Sequence, residues 1–560
     1  MKSPKNETAI RWIDGKRGQD SINKSPDPNG TVICHFVRTL VYDRDEYFCK
    51  IISVWSWSII LTAPGDNILN PPWNFSHEIA REGIFMAVNL PETSSQGSSS
   101  FQLVLDSFLS SAGLPFSKLL SAERIARIFA RHNGLFGTHG VYSTAIMVWS
   151  FLGQVLRDGK EASCQSAVAR IIAFCKFTGE AAPTADTRNY CRARAKLSVP
   201  ALRELSGEIA SELEDAADEN WLWKGRHAKL IDGFTFTMPD TEDNQAEFPQ
   251  QNTQVPGCGL PIARAVAIFS LATACVLDAA SGPFKGKQAS ETALLRTLFD
   301  SFQSGDVVVC DRYHCSFMMI AALLKRGTDI CARLHQKRKP DFRRGKRLGK
   351  YDHLITWTRP SQCPIWMDKA TYDQIPETLL LREIRYHVVE NGRRSQAMTV
   401  VTTLLDEQYT KQDIAELYGL RWNVELDLRC IKDTLNLGHL RCKSPAMIRC
   451  ELWITMLGYN LIRTTAAGAA RLHQKCPRQI SFTSTCQLIL STWMLTACRQ
   501  LDYQRLKALC QTLAEQIATC KVGNRPGRIE PRVIKRRRGT YPLMQQPRQV
   551  LRDRLRNNTT

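Results

Sequence analysis

Several common features are missing from this sequence of 560 residues. Its nineteen cysteines form no C-x-x-C pair, and none recurs with histidine at zinc-module spacing, so we expect no structural metal site. The chain lacks the charged start, apolar core and small-residue cleavage site of a signal peptide, which favours a reducing cytoplasm. Its apolar stretch 51–63 is shorter than the roughly 20 residues that span a bilayer. The sequence therefore predicts a soluble, cytoplasmic protein.

Positive charge, by contrast, is in large excess. Lysine and arginine number 74 against 54 aspartates and glutamates, a formal net charge of +20. Such a surplus repels itself and is typical of proteins with a polyanionic partner, of which nucleic acid is the first candidate. An acidic membrane surface is the alternative, but the basic residues are spread over the whole chain and adjoin no amphipathic lipid-binding helix. The charge therefore favours a nucleic-acid partner and no membrane; that this partner is double-stranded DNA is implied by the resemblance described below.

The N-terminal part divides into two regions. Residues 1–105 show no sustained period and receive no function; they are either a poorly ordered leader or an upstream extension from a misplaced start codon. Residues 106–222 are predicted to be helical, because apolar residues recur at three-four spacing from Lys118 to His132, Val141 to Arg157 and Ser163 to Phe177.

A short basic helix follows at Asp186 to Lys196 and carries Arg188, Arg192 and Arg194. Helix, tight turn and basic helix is how a helix-turn-helix protein presents side chains to the major groove, which predicts a DNA-binding domain. An ordinary helical bundle with a solvated basic face would give the same pattern.

The rest of the chain predicts an α/β fold with a mixed sheet and flanking helices. Strands are expected at 228–238, within 263–278, at 306–310 and at 329–334, with helices at 290–302 and 316–325. Residues 335–407 hold a basic run and β-type segments, predicted to be a β-rich insertion between core segments 223–334 and 408–470. Helices, including 411–435 and 445–466, follow, and 471–560 end in a basic tail with Lys535–Arg538 that would track phosphates or simply solubilise a disordered end.

Two aspartates follow apolar strand residues. Asp232 is predicted at the end of the run Lys229–Ile231, and Asp311 directly follows Val307–Cys310. A carboxylate in such a place is costly to bury unless it is paired or binds a metal, although a lone aspartate after a strand is more often a turn residue or helix cap. The two strands could be neighbours, so a metal site is a hypothesis that needs a third ligand.

Helix geometry supplies a candidate for that ligand. At about 100° per residue, four side chains separated by steps of 3, 4 and 7 fall within an arc of roughly 60°: Tyr418, Arg421, Glu425 and Lys432. A carboxylate flanked by cationic groups suits a surface that holds a metal and grips phosphate oxygens. A solvent face on which Arg421 and Glu425 merely pair within the helix is the alternative.

The pattern Y-x2-R-x3-E-x6-K formed by these four residues resembles that of bacterial insertion-sequence transposases of family four, in the DDE superfamily. The resemblance extends from about Leu114 to Arg548 and includes Ile231–Thr235 and Gly305–Tyr313. It implies a ribonuclease-H-like core interrupted by the β-rich insertion, with an N-terminal helical DNA-binding domain and a helical C-terminal region. It also implies that Asp232, Asp311 and Glu425 bind two Mg²⁺ or Mn²⁺ ions, and that Trp422 lies near the DNA end.

The implied function is that of a transposase which binds terminal inverted repeats, cleaves DNA and joins the freed ends to a target. Because two element ends are processed together, at least a dimer is implied in the DNA-bound complex. Two alternatives remain at this point: a nuclease or resolvase on the same fold that does not join ends, and a noncatalytic DNA-binding derivative.

Overall fold

The computed structural model of the protein describes residues 116–137, 140–177, 181–286, 289–388, 396–497, 503–523 and 544–557. They all lie in one compact unit that spans Thr93–Thr560. The segment 1–105 and the basic tail at 535–538 fall outside the described residues. Of the helices within the described ranges, none has both the length and the apolar character needed to cross a membrane.

The first described part is helical. In chain order its helices are α1 (Phe116–Leu119), α2 (Ala122–Arg131), α3 (Thr144–Val155), α4 (Cys164–Phe177), α5 (Thr187–Arg194) and α6 (Val199–Asp215). Ser121, Ser143, Asp186 and Ser198 cap the starts of four of them by accepting a backbone N–H. α6 lies in the region predicted to be helical, although no separate helix was assigned there; its Pro200 lies in the first turn, where the missing N–H has no helical partner to lose.

A nine-stranded mixed sheet forms the centre of the molecule. Its strands in chain order are β1 (Ala228–Thr237), β2 (Ile262–Ser270), β3 (Val276–Pro283), β4 (Val307–Cys310), β5 (Asp329–Arg333), β6 (Lys346–Gly349), β7 (Asp352–Thr358), β8 (Thr378–Val388) and β9 (Gln396–Thr402). The spatial order is β3-β2-β1-β4-β5-β9-β8-β7-β6. β1, β4 and β5 are parallel neighbours, and the other pairs are antiparallel. The four strands of the predicted β-rich insertion thus extend the same sheet, through the pairing of β9 with β5.

Side chains from both faces of this sheet enter apolar cores, which is why the parallel strands β1, β4 and β5 are rich in apolar residues. Along the chain, these helices occur between successive strands: α7 (Glu242–Glu247), α8 (Glu291–Arg296), α9 (Phe317–Leu324) and α10 (Lys369–Asp373). Alternate residues of β1 enter different cores: Leu230 packs with the N-terminal helices, whereas Ile231 packs with α8 and α9.

The C-terminal part is again helical. It comprises α11 (Lys411–Leu420), α12 (Asn423–Arg429), α13 (Pro445–Leu472), α14 (Phe482–Ala497), α15 (Tyr503–Thr519) and α16 (Arg548–Asn557). The 28-residue α13 is buried along most of its length and packs against α3, α6, α14 and α15. It is the element that joins the N-terminal helices to the C-terminal ones.

Two predicted helices are interrupted. The helix expected at 290–302 is α8 followed by a separate 3₁₀ turn, Phe299–Ser301. The helix expected at 411–435 is irregular at two places. Between α11 and α12 it is tightened, because N–H groups bond to the third preceding carbonyl, as Val424 N does to Arg421 O. After α12 it widens into a π turn, Cys430–Thr434. Ile414, Val424 and Ile431 all enter one core, so burial of these side chains outweighs a uniform helical period.

Candidate active site

The two aspartates come together where β4 ends. Correcting the sequence prediction, Asp232 lies within β1, which continues to Thr237, and not at its end. β1 and β4 pair in parallel with Leu230 opposite Val309, so two steps further along Asp232 falls beside Asp311, the first residue after β4.

Local backbone bonds hold both aspartates. The Asp232 carboxylate accepts the N–H of Gly233 at 2.8 Å. The Asp311 carboxylate accepts the N–H of Tyr313, also at 2.8 Å, and so caps the 3₁₀ turn Arg312–His314. Asp311 is therefore a helix cap, which was the alternative interpretation of an aspartate after a strand. It is nevertheless a cap that lies beside a second carboxylate.

Glu425, on α12, reaches the same place through Arg421. The Arg421 guanidinium lies 2.9 Å from Glu425 Oε1 and 3.6 Å from Asp232 Oδ2. The pairing of Arg421 with Glu425 within the helical segment is thus present, but the same guanidinium also contacts β1. The arginine links the third acidic residue to the first.

The charged form of Asp232 is opposed by burial and by the other two carboxylates. Burial raises the pKa of Asp232 to about 6, and repulsion from Asp311 and Glu425 adds to this increase, against the opposing effects of Arg421 and of the Gly233 N–H. A carboxyl group that is buried and repelled by two others has its charged form destabilised. A cation at this place would relieve that cost.

The donor chemistry fits a hard divalent cation, since carboxylate oxygens are the protein ligands that Mg²⁺ and Mn²⁺ prefer. The side chains do not yet surround a single point: within the part of the chain that the structure describes, no three His, Cys, Asp or Glu residues group closely enough to enclose one ion. Arg421 instead contacts two of the three carboxylates with its guanidinium. The arrangement is therefore a gathering of ligand groups around a guanidinium and not a closed coordination shell.

The other residues of the predicted helical face occupy different environments, because the helix is interrupted after Leu420. Tyr418 is buried, and burial raises the pKa of its hydroxyl. Trp422 is 53% exposed. The Lys432 ammonium lies 5.6 Å from the centre of the Phe234 ring, and burial lowers its pKa although the charge of Asp232 acts in the opposite direction. Lys432 therefore remains beside Asp232.

The basic helix of the N-terminal region, α5, presents only part of its charge to solvent. Arg188 has a side chain 80% exposed and pairs with Asp186, and Arg192 is exposed. Arg194 turns inward: its guanidinium lies 4.7 Å from the Phe151 ring centre and donates to Gln154 Oε1 at 3.0 Å. This placement argues against the predicted contact of Arg194 with DNA, because its side chain completes the packing of the bundle.

Sequence reasoning missed one acidic residue at the site. The side chain of Glu291, on α8, lies against Gly233 so closely that a Cβ there would come within 2.5 Å of Glu291 Cδ. Burial raises the pKa of Glu291, and the charge of Asp311 contributes to the increase. Since Glu291 follows the capping residue Ser290, where an acidic residue is common, the sequence carried no sign of this proximity.

Comparison with known proteins identifies a transposase domain. The model of a family described as "Transposase DDE domain" matches residues 223–461, which include the whole candidate site. The chain is 26% identical over 428 residues to the transposase InsG for insertion sequence element IS4 of Escherichia coli (strain K12), covering 76% of this chain and 92% of that protein. Residues 223–461 therefore carry a transposase DDE domain, and most of the chain is similar to an insertion-sequence transposase.

Shorter matches agree with this placement. The transposase for insertion sequence element IS421 of Escherichia coli is 32% identical over 96 residues, which are 16% of this chain and 25% of that protein. The putative transposase InsL for insertion sequence element IS186A of Escherichia coli (strain K12) matches over the same length with the same identity. As a DDE transposase, the protein is an enzyme of DNA cleavage and strand transfer.

Proposed function

We propose that this transposase binds the terminal inverted repeats of its insertion sequence and moves the element by cut-and-paste, with Asp232, Asp311 and Glu425 as its catalytic residues. The proposal is supported by the position of Arg421, which contacts both Asp232 and Glu425. It is also supported by the register of β1 and β4, which sets Asp232 beside Asp311, the first residue after β4. The parallel neighbours β1, β4 and β5 beside the antiparallel β2 and β3 are consistent with a ribonuclease-H-like core.

In this proposal the three carboxylates hold two divalent ions, Mg²⁺ or Mn²⁺. When bound, such ions activate an attacking oxygen and stabilise a leaving oxygen, which phosphodiester chemistry requires. The raised pKa of Asp232 supports this role, because its charged form lacks sufficient compensation from the protein alone. Arg421 must then exchange its carboxylate contacts for DNA phosphate, which a guanidinium binds with similar geometry.

Lys432 and Arg421 would hold phosphate oxygens beside the scissile bond. The buried Tyr418 would support the helical segment that carries Arg421. Trp422 is the one member of the segment with a large exposed ring, and it is suited to stack on an unpaired base at the DNA end. Arg188 and Arg192 would contact the inverted repeat away from the site. With a substrate of chromosomal DNA, we place the enzyme in the cytoplasm, at the nucleoid.

A dimer in the DNA-bound complex is part of the proposal, since two element ends must be held and cut together. The formal net charge of +20 supports the large DNA contact that this needs. The same carboxylates would serve a nuclease that does not join ends, so strand transfer must be measured separately from cleavage.

The test uses a duplex that carries the element end, taken from the DNA that flanks the gene. Glu425→Ala should abolish Mg²⁺-dependent cleavage, and joining of a pre-cut 3′-hydroxyl end to target DNA, while binding of the end persists. Glu416→Ala is the matched control, because Glu416 lies exposed on the preceding helix α11 and should leave both steps intact. Cleavage by Glu425→Ala would disprove the assignment of the site, and cleavage without joining by the unaltered protein would indicate a nuclease.

A further inference from the structure

A second carboxylate on α12, Asp427, lies in the interior two residues beyond Glu425. Its side chain is 2% exposed, yet it is fully partnered. Arg463 Nη2 lies 3.0 Å from Asp427 Oδ1, and Arg478 Nη1 lies 2.9 Å from Oδ2. Tyr459 Oη completes the set at 3.2 Å from Oδ1. Two guanidinium groups on one buried carboxylate are more than neutralisation requires.

These partners come from elements on which the site depends. Arg463 and Tyr459 lie on α13, the long buried helix. Arg478 lies in the 3₁₀ turn Pro477–Gln479 and also donates to the carbonyl oxygens of Ser270 and Leu271, at the end of β2. Since β2 pairs with β1 along its length, the network ties the helix of Glu425 to the strand pair that carries Asp232.

The short helix needs such an anchor. α12 has only seven residues and is not a regular continuation of α11, because a tightened turn precedes it and a π turn follows it. Its direction is therefore not fixed by helical continuity from either side. Apolar contacts of Val424 and Leu428 hold it to the core, but they are not directional in the way that charged hydrogen bonds are.

We propose that Asp427 is a positioning residue of the active site. Through Arg463, Arg478 and Tyr459 it fixes α12 against α13 and the end of β2, and so sets the distance of Glu425 from Asp232 and Asp311. This rests on the proposed role of Glu425 as a metal ligand. Residues that orient metal ligands without touching the metal typically change metal affinity or activity by about 10- to 100-fold when they are replaced.

The test compares Asp427→Asn with a matched control, Asp352→Asn. Asp352 is also buried and binds Arg382 through both carboxylate oxygens, at 2.9 and 2.7 Å, but it lies on β7. Both variants lose one buried negative charge opposite arginine, so both should lose stability. Only Asp427→Asn should raise the Mg²⁺ concentration for half-maximal cleavage, and weaken Mn²⁺ binding followed by the free-ion electron paramagnetic resonance signal, by about 10-fold or more.

Arg478→Gln is a second variant in case Asp427→Asn does not fold, because Arg478 is less buried than Arg463 and its loss leaves Arg463 on the carboxylate. It should raise the metal requirement in the same direction. Equal metal requirements in the unaltered protein, Arg478→Gln and any folded Asp427→Asn would overturn the proposal. Glu425→Gln, measured in the same series, tests the ligand role of Glu425 separately from the positioning role of Asp427. Mg²⁺-dependent cleavage by Glu425→Gln would show that Glu425 is not a metal ligand.

Discussion

The raised pKa of Asp232 predicts that replacing this residue by asparagine stabilises the metal-free protein. The shift from 3.8 to about 6 corresponds to about 3 kcal/mol, by which the folded state disfavours the charged carboxylate relative to its neutral form. Asparagine resembles the neutral form in shape and carries no charge. With metal removed by a chelator at about pH 8, Asp232→Asn should therefore raise the free energy of unfolding by up to about 3 kcal/mol.

The pH dependence has a definite sign. Asp232 binds its proton more tightly in the folded state, so its contribution to stability is lost as pH rises from about 4 to about 6. The gain from Asp232→Asn should be full above that window and should disappear below it, where the carboxyl group is protonated in both states. Denaturant unfolding at a series of pH values, followed by fluorescence, measures the difference directly.

A matched control is Asp329→Asn. The Asp329 side chain has the same 24% exposure as that of Asp232, but its carboxylate accepts hydrogen bonds from Arg226 and from the Thr403 hydroxyl, both at 2.6 Å. Its replacement should lower stability by about 1–3 kcal/mol. The reasoning is refuted if Asp232→Asn is as destabilising as the control, or if its effect on the free energy of unfolding is the same at pH about 4 and about 8. Either result would show that the folded state does not disfavour the charged carboxylate.

Further predictions concern neighbouring groups. Gly233→Ala places a Cβ against the Glu291 carboxyl group and should lower the free energy of unfolding by about 1–3 kcal/mol. In a double-mutant cycle, adding Glu291→Ala should recover most of that loss, and additive effects of the two substitutions would contradict the contact. Arg188→Ala should weaken binding of the element end and reduce the slope of its salt dependence by up to about one, whereas Arg194→Ala should lower the melting temperature and leave that slope unchanged. Mg²⁺ should stabilise the unaltered protein against unfolding more than it stabilises Asp232→Asn.

The order and type of most elements could be predicted from the sequence, because the apolar runs of β1, β4 and β5 and the three-four spacing of α2 and α4 are local signals. The interruption at Arg421 could not, since it depends on where Ile414, Val424 and Ile431 meet the core. The pairing of the insertion with the core sheet could not either. Which edge of β5 receives β9 is a long-range choice that leaves no mark in either strand.

At the candidate site, the sequence predicts the residues but not their arrangement. Asp232 and Asp311 are expected from their positions after apolar strand residues, and Glu425 from the fixed spacing of the helical motif. In the structure Arg421 contacts Asp232 and Glu425, and the register of β1 and β4 sets Asp311 beside Asp232. Glu291 was missed because its proximity to Gly233 arises from the packing of α8 on the sheet. Asp427 was missed for a related reason: in the sequence it reads as one more charge on a helix, and only burial distinguishes it.

Arg421 shows why the structural and catalytic interpretations of one residue need not compete. An arginine and a glutamate four residues apart stabilise an exposed helix by only a few tenths of a kcal/mol. Here the guanidinium is largely buried and stands between carboxylates that repel each other, so its charge offsets part of the cost that raises the pKa of Asp232. Within the metal-free site, this guanidinium is a positive charge that the protein supplies itself. A cation that binds the carboxylates more strongly than Arg421 does would release this guanidinium to bind a DNA phosphate. Metal binding and DNA binding would then be coupled.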